Sequence, residues 1–392
     1  MALTKVDISL MQNTGTTANI LLAYDGSGNL PAVDCSQLTN LVTGITELSS
    51  DPTISTNPSG GVGTEWHNTT SGEVYICTDA TAGANVWINI GGGSGNVQPW
   101  AFQGVAYGYT SGGWPNPPAT DVIDKFPFAT DSDATDVGNL TQARTDGCGL
   151  SSEDYGWTCA GRGTGWATQH NIIDKFSFVS DGNATDSGDL LTTHTSPAGQ
   201  SSTTHGYISG GGEPTAVNSI QKFAFASGGN TSAIAGVLTT ARRSTDGCSH
   251  TPHGYTVGGS SPYSNVIDKF SFATDGNSTD VGDLTAGRGS AATASSATHG
   301  FKAGGSTGAG SNIVDKWSFT SDGNAVDHGD LSASRYGPCG QSATAYGYSS
   351  GGYVPNYYTN LIDKYAYTSN TTATDVGNLT VGRGDRPMGH QV

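Results

Sequence analysis

The sequence predicts an all-β chain, most of it a six-bladed β-propeller, with a short segment and a small β-module ahead of it. One phrase recurs six times: VIDKF at 122–126, IIDKF at 172–176, SIQKF at 219–223, VIDKF at 266–270, IVDKW at 313–317 and LIDKY at 361–365. Its anchors Ile123, Ile173, Ile220, Ile267, Val314 and Ile362 lie 47 to 50 residues apart, a period that signals a solenoid, a propeller or an array. Aromatic residues stand two apart at the end of each phrase, as in Phe270 and Phe272 or Trp317 and Phe319, which places both on one face of a strand. Each period holds about four short strands and no helical pattern, the content of one propeller blade.

Every period reads in the same order. A strand of small and polar residues follows a basic position, as in GCSHTP at 247–252. Gly254 and Tyr255 then lead to Gly258 and Gly259, a variable loop and the aromatic strand. A polar turn, TDGNST at 274–279 or SDGNAT at 180–185, precedes the last strand, such as TDVGDL at 279–284. Asp-Gly and Gly-Asn suit tight turns between antiparallel strands.

This order resembles a divergent kelch repeat, with Phe, Trp or Tyr at the aromatic position and Leu284 where kelch repeats carry Trp. The resemblance covers about residues 105–392 and implies a kelch-like propeller of six blades. Closure can be read from the ends. The basic position falls at Arg144, His194, Arg242, Arg288, Arg335 and Arg383, and the chain stops soon after the last, at GDRPMGHQV. That tail is long enough for one strand, and the first repeat begins cleanly only at 107–113. Residues 387–392 are therefore expected to supply the inner strand of the first blade, leaving no open sheet edge.

Ahead of the repeats, residues 1–50 combine MALTKVDISLM, a Gly-Ser-Gly-Asn turn and a Leu/Val-spaced stretch too short and Gly-interrupted to fold alone. Residues 51–91 read as a small β-module, with strands at 73–77 and 85–90 and a third at 65–67. Residues 92–104, opening on a Gly/Ser-rich run, read as a linker to the propeller at 105–392. The opening MALTKV and the phrase GSGNLPAVD…LTNL resemble the N-terminal attachment segments of bacteriophage tail fibres. NTTSGEVYICTDATAGANVW, at 68–87, resembles a module of phage virion and fibre proteins, especially those of phages infecting aquatic cyanobacteria. These resemblances imply a virion tail protein assembled in the host cytoplasm, a homotrimer that joins other tail proteins through its N-terminal region.

Composition narrows the function classes. Asp and Glu number 33 against 16 Lys and Arg, a formal charge of −17, which argues against nucleic acid as a partner. The longest apolar run, ANILLAY at 18–24, is too short to span a bilayer, and no signal peptide is visible, so no membrane insertion is expected. Cys148, Cys248 and Cys339 fall on first strands of non-adjacent repeats, too far apart to bridge. They read, with Cys35, Cys77 and Cys159, as small buried hydrophobes. No metal-ligand spacing is present, and no cofactor is expected.

The loops after each Gly-Gly differ most between repeats, and binding usually resides in varied loops on a constant scaffold. They carry Trp114, Trp166, Tyr263, Tyr353, Tyr357 and Tyr358. Aromatic rings among Asn, Ser and Thr suit sugar rings, which offer C–H faces and hydroxyls, so the expected ligand is a cell-surface glycan. The recurring Asp124, Asp174, Asp268, Asp315 and Asp363, with Gln221 in one repeat, read as a repeated structural hydrogen bond, and the Arg series as a tie between blades. Asp131, Asp133 and Asp136 have oxygen-ligand spacing but no EF-hand pattern. Arg383-Gly384-Asp385 reads as a chance tripeptide, and the sequons at Asn183, Asn230, Asn277 and Asn370 as turns. The expected function is host recognition by a tail fibre, without catalysis. Two alternatives compete with it: a structural decoration of the virion and a polysaccharide-acting enzyme on the same scaffold.

Overall fold

The computed structural model describes residues 46–90, 101–115, 118–164, 168–212, 215–260 and 262–392, which hold strands and no helix. The chain divides into two units, Met1–Pro99 and Trp100–Val392. In the first, Thr46–Leu48, Glu65–Asn68, Val74–Asp79 and Val86–Asn89 form one sheet in that order, the first pair parallel and the others antiparallel. Alternation puts Trp66, Tyr75, Cys77 and Trp87 on one buried face. Trp66 Nε1 donates to Ser50 O at 2.8 Å and Asn85 Nδ2 to Ile54 O at 2.8 Å, which ties the segment after Leu48 to the sheet. Thr46–Leu48 is a strand that the sequence did not reveal. Three residues show no periodicity, and their parallel partner is reached only by a crossover. The linker expected at 92–104 lies mostly outside the described residues.

Among the described residues, the second unit holds six four-stranded antiparallel sheets and one two-stranded hairpin. Sheet I is Met388–Gln391, Tyr107–Ser111, Val122–Pro127 and Thr135–Asn139. Sheet II is Cys148–Ser151, Tyr155–Cys159, Ile172–Ser177 and Thr185–Asp189. Sheet III is Ala198–Ser201, His205–Ser209, Ser219–Ala224 and Gly228–Val237. Sheet IV is Asp246–His250, His253–Val257, Val266–Ser271 and Thr279–Asp283. Sheet V is Ala292–Ser295, His299–Ala303, Ser311–Ser318 and Val326–Arg335. Sheet VI is Cys339–Ser342, Tyr346–Ser350, Leu361–Ala366 and Thr374–Asn378.

The C-terminal strand pairs with the first repeat, as expected. Met388 lies opposite Ser111 and Gln391 opposite Gly108, and Val392 O accepts from the amides of Val105, Ala106 and Tyr107.

Neighbouring sheets are joined by aromatic side chains. The second strand of each sheet sends one ring against the aromatic pair of the next: Tyr109 lies 4.9 Å from Phe178, Trp157 5.6 Å from Phe225 and Tyr207 4.7 Å from Phe272. Tyr255 lies 4.8 Å from Phe319, and Phe301 lies 4.6 Å from Tyr367. The succession returns to its start, since Tyr348 of sheet VI stacks 4.9 Å from Phe128 of sheet I. These contacts explain the Gly before each ring: a Cβ at Gly156 would meet the Phe176 ring at 2.2 Å, and one at Gly300 would meet Trp317 at the same distance.

A second joint is polar and buried. Arg144 reaches Asp174 of sheet II at 3.1 Å, Arg242 reaches Asp268 at 2.8 Å, Arg288 reaches Asp315 at 3.2 Å, Arg335 reaches Asp363 at 3.1 Å, and Arg383 pairs with Asp124. Each carboxylate also accepts from the backbone and hydroxyl of a Thr or Ser where the chain leaves the preceding sheet, at the end of its fourth strand or just after it, as Asp174 does from Thr141 at 2.9 and 2.6 Å. The interface between sheets II and III, which lacks both residue types, is matched without charge: Gln221 Nε2 lies 3.0 Å from His194 Nε2. Both readings of these series hold.

Residues of the turns carry a further joint, together with Asn230, which was expected in a turn but lies in the fourth strand of sheet III, because that strand begins earlier than its counterparts. Lys125 meets Asp181 at 2.8 Å, Lys269 meets Asp322 at 2.5 Å, and Lys222 and Lys364 pair with Asp275 and Asp131. Asn183, Asn230 and Asn277 accept from backbone amides of the preceding sheet, as does Asp133 from Asn378. Asp131, Asp133 and Asp136 are thus each engaged by protein donors. Cys148 and Cys159 oppose each other across sheet II as free thiols, a neighbour relation the spacing did not disclose.

Deleting residues 388–392 leaves the Tyr107–Ser111 edge unpaired and should lower the melting temperature by on the order of 10 °C, with aggregation, in calorimetry. His194→Arg or Gln221→Asp alone buries an unmatched charge and should cost about 3–5 kcal/mol in urea unfolding, whereas the double variant should recover most of it.

Candidate functional site

Antiparallel order puts two connections at the same end of every sheet: the loop after the second strand and the crossing from the fourth strand to the next sheet. The Gly-Gly pairs open these loops because the backbone turns left-handed there, with φ of 69° at Gly351 and 111° at Gly352. A Cβ at Gly351 would also meet Arg383 O at 2.4 Å.

The six aromatics predicted for this end have different fates. Trp114 is 4% exposed and pairs through its backbone with Gly384, so the ring expected at the surface is instead a covering residue. Trp166 lies outside the described residues. Tyr263 is 45% exposed, and its hydroxyl lies 3.1 Å from Ser306 Oγ. Tyr357 is the most open of the five described, at 61%. It sits at the turn of a short hairpin, Tyr353–Val354 against Tyr357–Tyr358, where Asn356 takes a φ of 82°. Tyr353 and Tyr358 are half-buried and meet edge to face at 5.2 Å.

The fold adds residues that sequence reasoning missed. Tyr336 packs 5.2 Å from Tyr353 and exchanges both backbone hydrogen bonds with it. The signal was present: Tyr336 directly follows Arg335, at a place held in other repeats by Thr145, Thr195, Arg243, Gly289 and Gly384. Tyr358 donates its hydroxyl to Asp385 Oδ2 at 3.0 Å. Burial and the nearby Asp146 carboxylate push the Asp385 carboxyl up to about 6, against the Tyr358 hydrogen bond and Arg162, which hold it down. Burial also raises the Tyr358 and Tyr336 hydroxyls, with Asp385 adding to both. Arg162 is already bound to Asp146 at 2.9 Å.

Beneath these side chains the incoming connections are linked by backbone. Asp146, Ser196, Ser244, Ser290 and Gly337 take φ between 53° and 68°, and Asp385 takes 52°. Ser196 N donates to Asp146 O, Ser290 N to Ser244 O, Gly337 N to Ser290 O, Arg386 N to Gly337 O and Asp146 N to Asp385 O. Arg386 spans the remaining step, donating to Pro197 O at 3.1 Å and Thr245 O at 2.6 Å. It also lines a cavity of about 80 Å³ that residues of the first strands of all six sheets surround. Glycines recur in its walls because a Cβ at Gly149, Gly247 or Gly389 would strike the preceding sheet's carbonyl at 2.2, 2.2 or 2.1 Å. The ionised groups facing the cavity, Asp246 and Arg386, pair with each other at 3.4 Å, and Lys302 also binds Asp246.

No known family model matches the chain, and no curated protein matches it. Arg383 of the Arg-Gly-Asp tripeptide is fully buried against Asp124, so the three residues are not presented together, although Asp385 itself is half-buried. His390 is held at Ser111 Oγ, 3.0 Å, and Leu150 O, 3.0 Å, and burial lowers its pKa to about 4.

Asp385 and His390 act on stability in opposite senses. The folded Asp385 carboxyl keeps its proton to about pH 6 and the unfolded one only to 3.8, so its contribution is complete at low pH and lost as pH rises through 6. His390 is the reverse: its contribution is complete above 6.5 and lost as pH falls toward 4. Asp385→Asn should be about 1–2 kcal/mol more stable than the parent at pH 7.5 and equal to it near pH 4, measured by urea unfolding at both.

Proposed function

We propose that residues 105–392 form a six-bladed, kelch-like β-propeller and that the protein is a phage tail fibre that recognises a host-surface glycan. The propeller reading is supported by the aromatic succession that returns to sheet I, the shared cavity lined by six first strands, and the C-terminal strand in sheet I. Residues 1–50 attach the protein to the tail and assemble it as a homotrimer, on the resemblance of their text to fibre N-termini.

One observation carries the recognition reading. Tyr263, Tyr336 and the hairpin tyrosines Tyr353, Tyr357 and Tyr358 come from three connections at one end of sheets IV to VI, ranging from half-buried to 61% exposed, with hydroxyl and carboxylate partners among them. Open ring faces beside acceptors and donors are what a pyranose needs: its C–H face lies on a ring while its hydroxyls bond at the edge. The residues act by binding, without bond breaking.

The purified chain should be retained by lipopolysaccharide or capsular polysaccharide from its host in a panel of such polymers from aquatic bacteria, read by biolayer interferometry. Tyr357→Ala should weaken retention on the order of tenfold, about 1.4 kcal/mol, with an unchanged melting temperature. A chain that adsorbs to none of them acts as a decoration of the virion.

A further inference from the structure

The charges around the tyrosines narrow the ligand further, on the premise that this surface binds glycan. The arginines at this end of the sheets are committed. Five are buried against the inter-sheet aspartates, Arg162 holds Asp146, Arg386 holds Asp246 and two carbonyls, and the half-buried Arg243 is engaged as well. The lysines offer no substitute here. Lys302 is buried on Asp246, and the strand lysines are spent on turn aspartates, tyrosine rings or a carbonyl. The chain as a whole carries −17.

What the tyrosine surface does present is acceptor character. Asp385 is half-buried beside Tyr358, one of its oxygens taken by that hydroxyl, with the Asp146 carboxylate near enough to raise its pKa. A uronate, sialate, sulfate or phosphate brought to Tyr357 and Tyr358 would meet these carboxylates with no cation among the described residues free to offset them. A neutral sugar meets no such penalty, since its hydroxyls donate to carboxylates.

We propose that the tyrosine surface of sheets IV to VI selects uncharged saccharide units, with Tyr357 and Tyr353 as the stacking platform and the Asp385 carboxylate accepting from sugar hydroxyls. Selection against acidic polymers then comes from the committed arginines as much as from the tyrosines. Binding of this kind has little dependence on salt, because no exposed ion pair is formed.

The test uses the full chain and the polymers retained in the panel, sorted by their content of acidic groups and measured at 20 and 500 mM NaCl. Retention by polymers with neutral side chains, changed less than threefold by salt, is the expected result. Asp385→Asn, which should remain folded, should lower that affinity about tenfold. Retention confined to acidic polymers and abolished by salt would overturn the proposal and leave glycan recognition standing. Unchanged affinity in Asp385→Asn would remove the carboxylate from the contact. Retention of no polymer at all would sink the recognition reading and this one with it.

Discussion

The second unit depends on one joint, the guanidinium of one sheet held by the aspartate of the next. Both partners are fully or almost fully buried, as Arg144 and Asp174 are. A charge buried without its partner is far costlier than an exposed one, so neither residue can be satisfied unless the two sheets meet in a single register. The carboxylate then bonds the backbone at or just after the end of the preceding sheet's fourth strand, fixing where the chain leaves that sheet. A buried ion pair need not add net stability over an apolar contact; here its physical effect is to make misaligned sheets unfavourable. His194 and Gln221 support that account, since the one interface that lacks the arginine lacks the aspartate too and holds an uncharged hydrogen bond instead.

Around this joint the apolar contacts follow a geometric necessity. Each second-strand ring fills the space beside the aromatic pair of the next sheet, and each preceding glycine clears room for the ring of its own sheet. The glycines facing the cavity do the opposite work: they let backbones of neighbouring sheets approach more closely than a side chain permits. With positions inside the sheets so tightly specified, variation is confined to the connections, and the tyrosines lie there.

The candidate site was legible in part. Tyr263, Tyr353, Tyr357 and Tyr358 could be named because their loops differ between repeats, a property of the text alone. Trp114 shows the limit of that reasoning: it occupies the same kind of loop yet is buried, because Gly384 from the far end of the chain lies against it. Tyr336 and Asp385 could not be placed beside the loop tyrosines from spacing, since they arrive on crossings whose path depends on how successive sheets stack. The commitment of Arg162 to Asp146 was equally hidden, being a contact between residues with no repeated partner.

By itself the sequence determined the period, the strand order within each repeat, the faces of the aromatic pairs and the C-terminal strand that completes sheet I. All of these follow from spacing, because side chains alternate along a strand and a repeated text folds to a repeated unit. Only the tertiary structure decided the parallel strand Thr46–Leu48, the burial of Trp114, and the convergence of Tyr336, Tyr358 and Asp385. Those depend on segments distant in sequence meeting in space, and nothing local in the chain encodes which of them will.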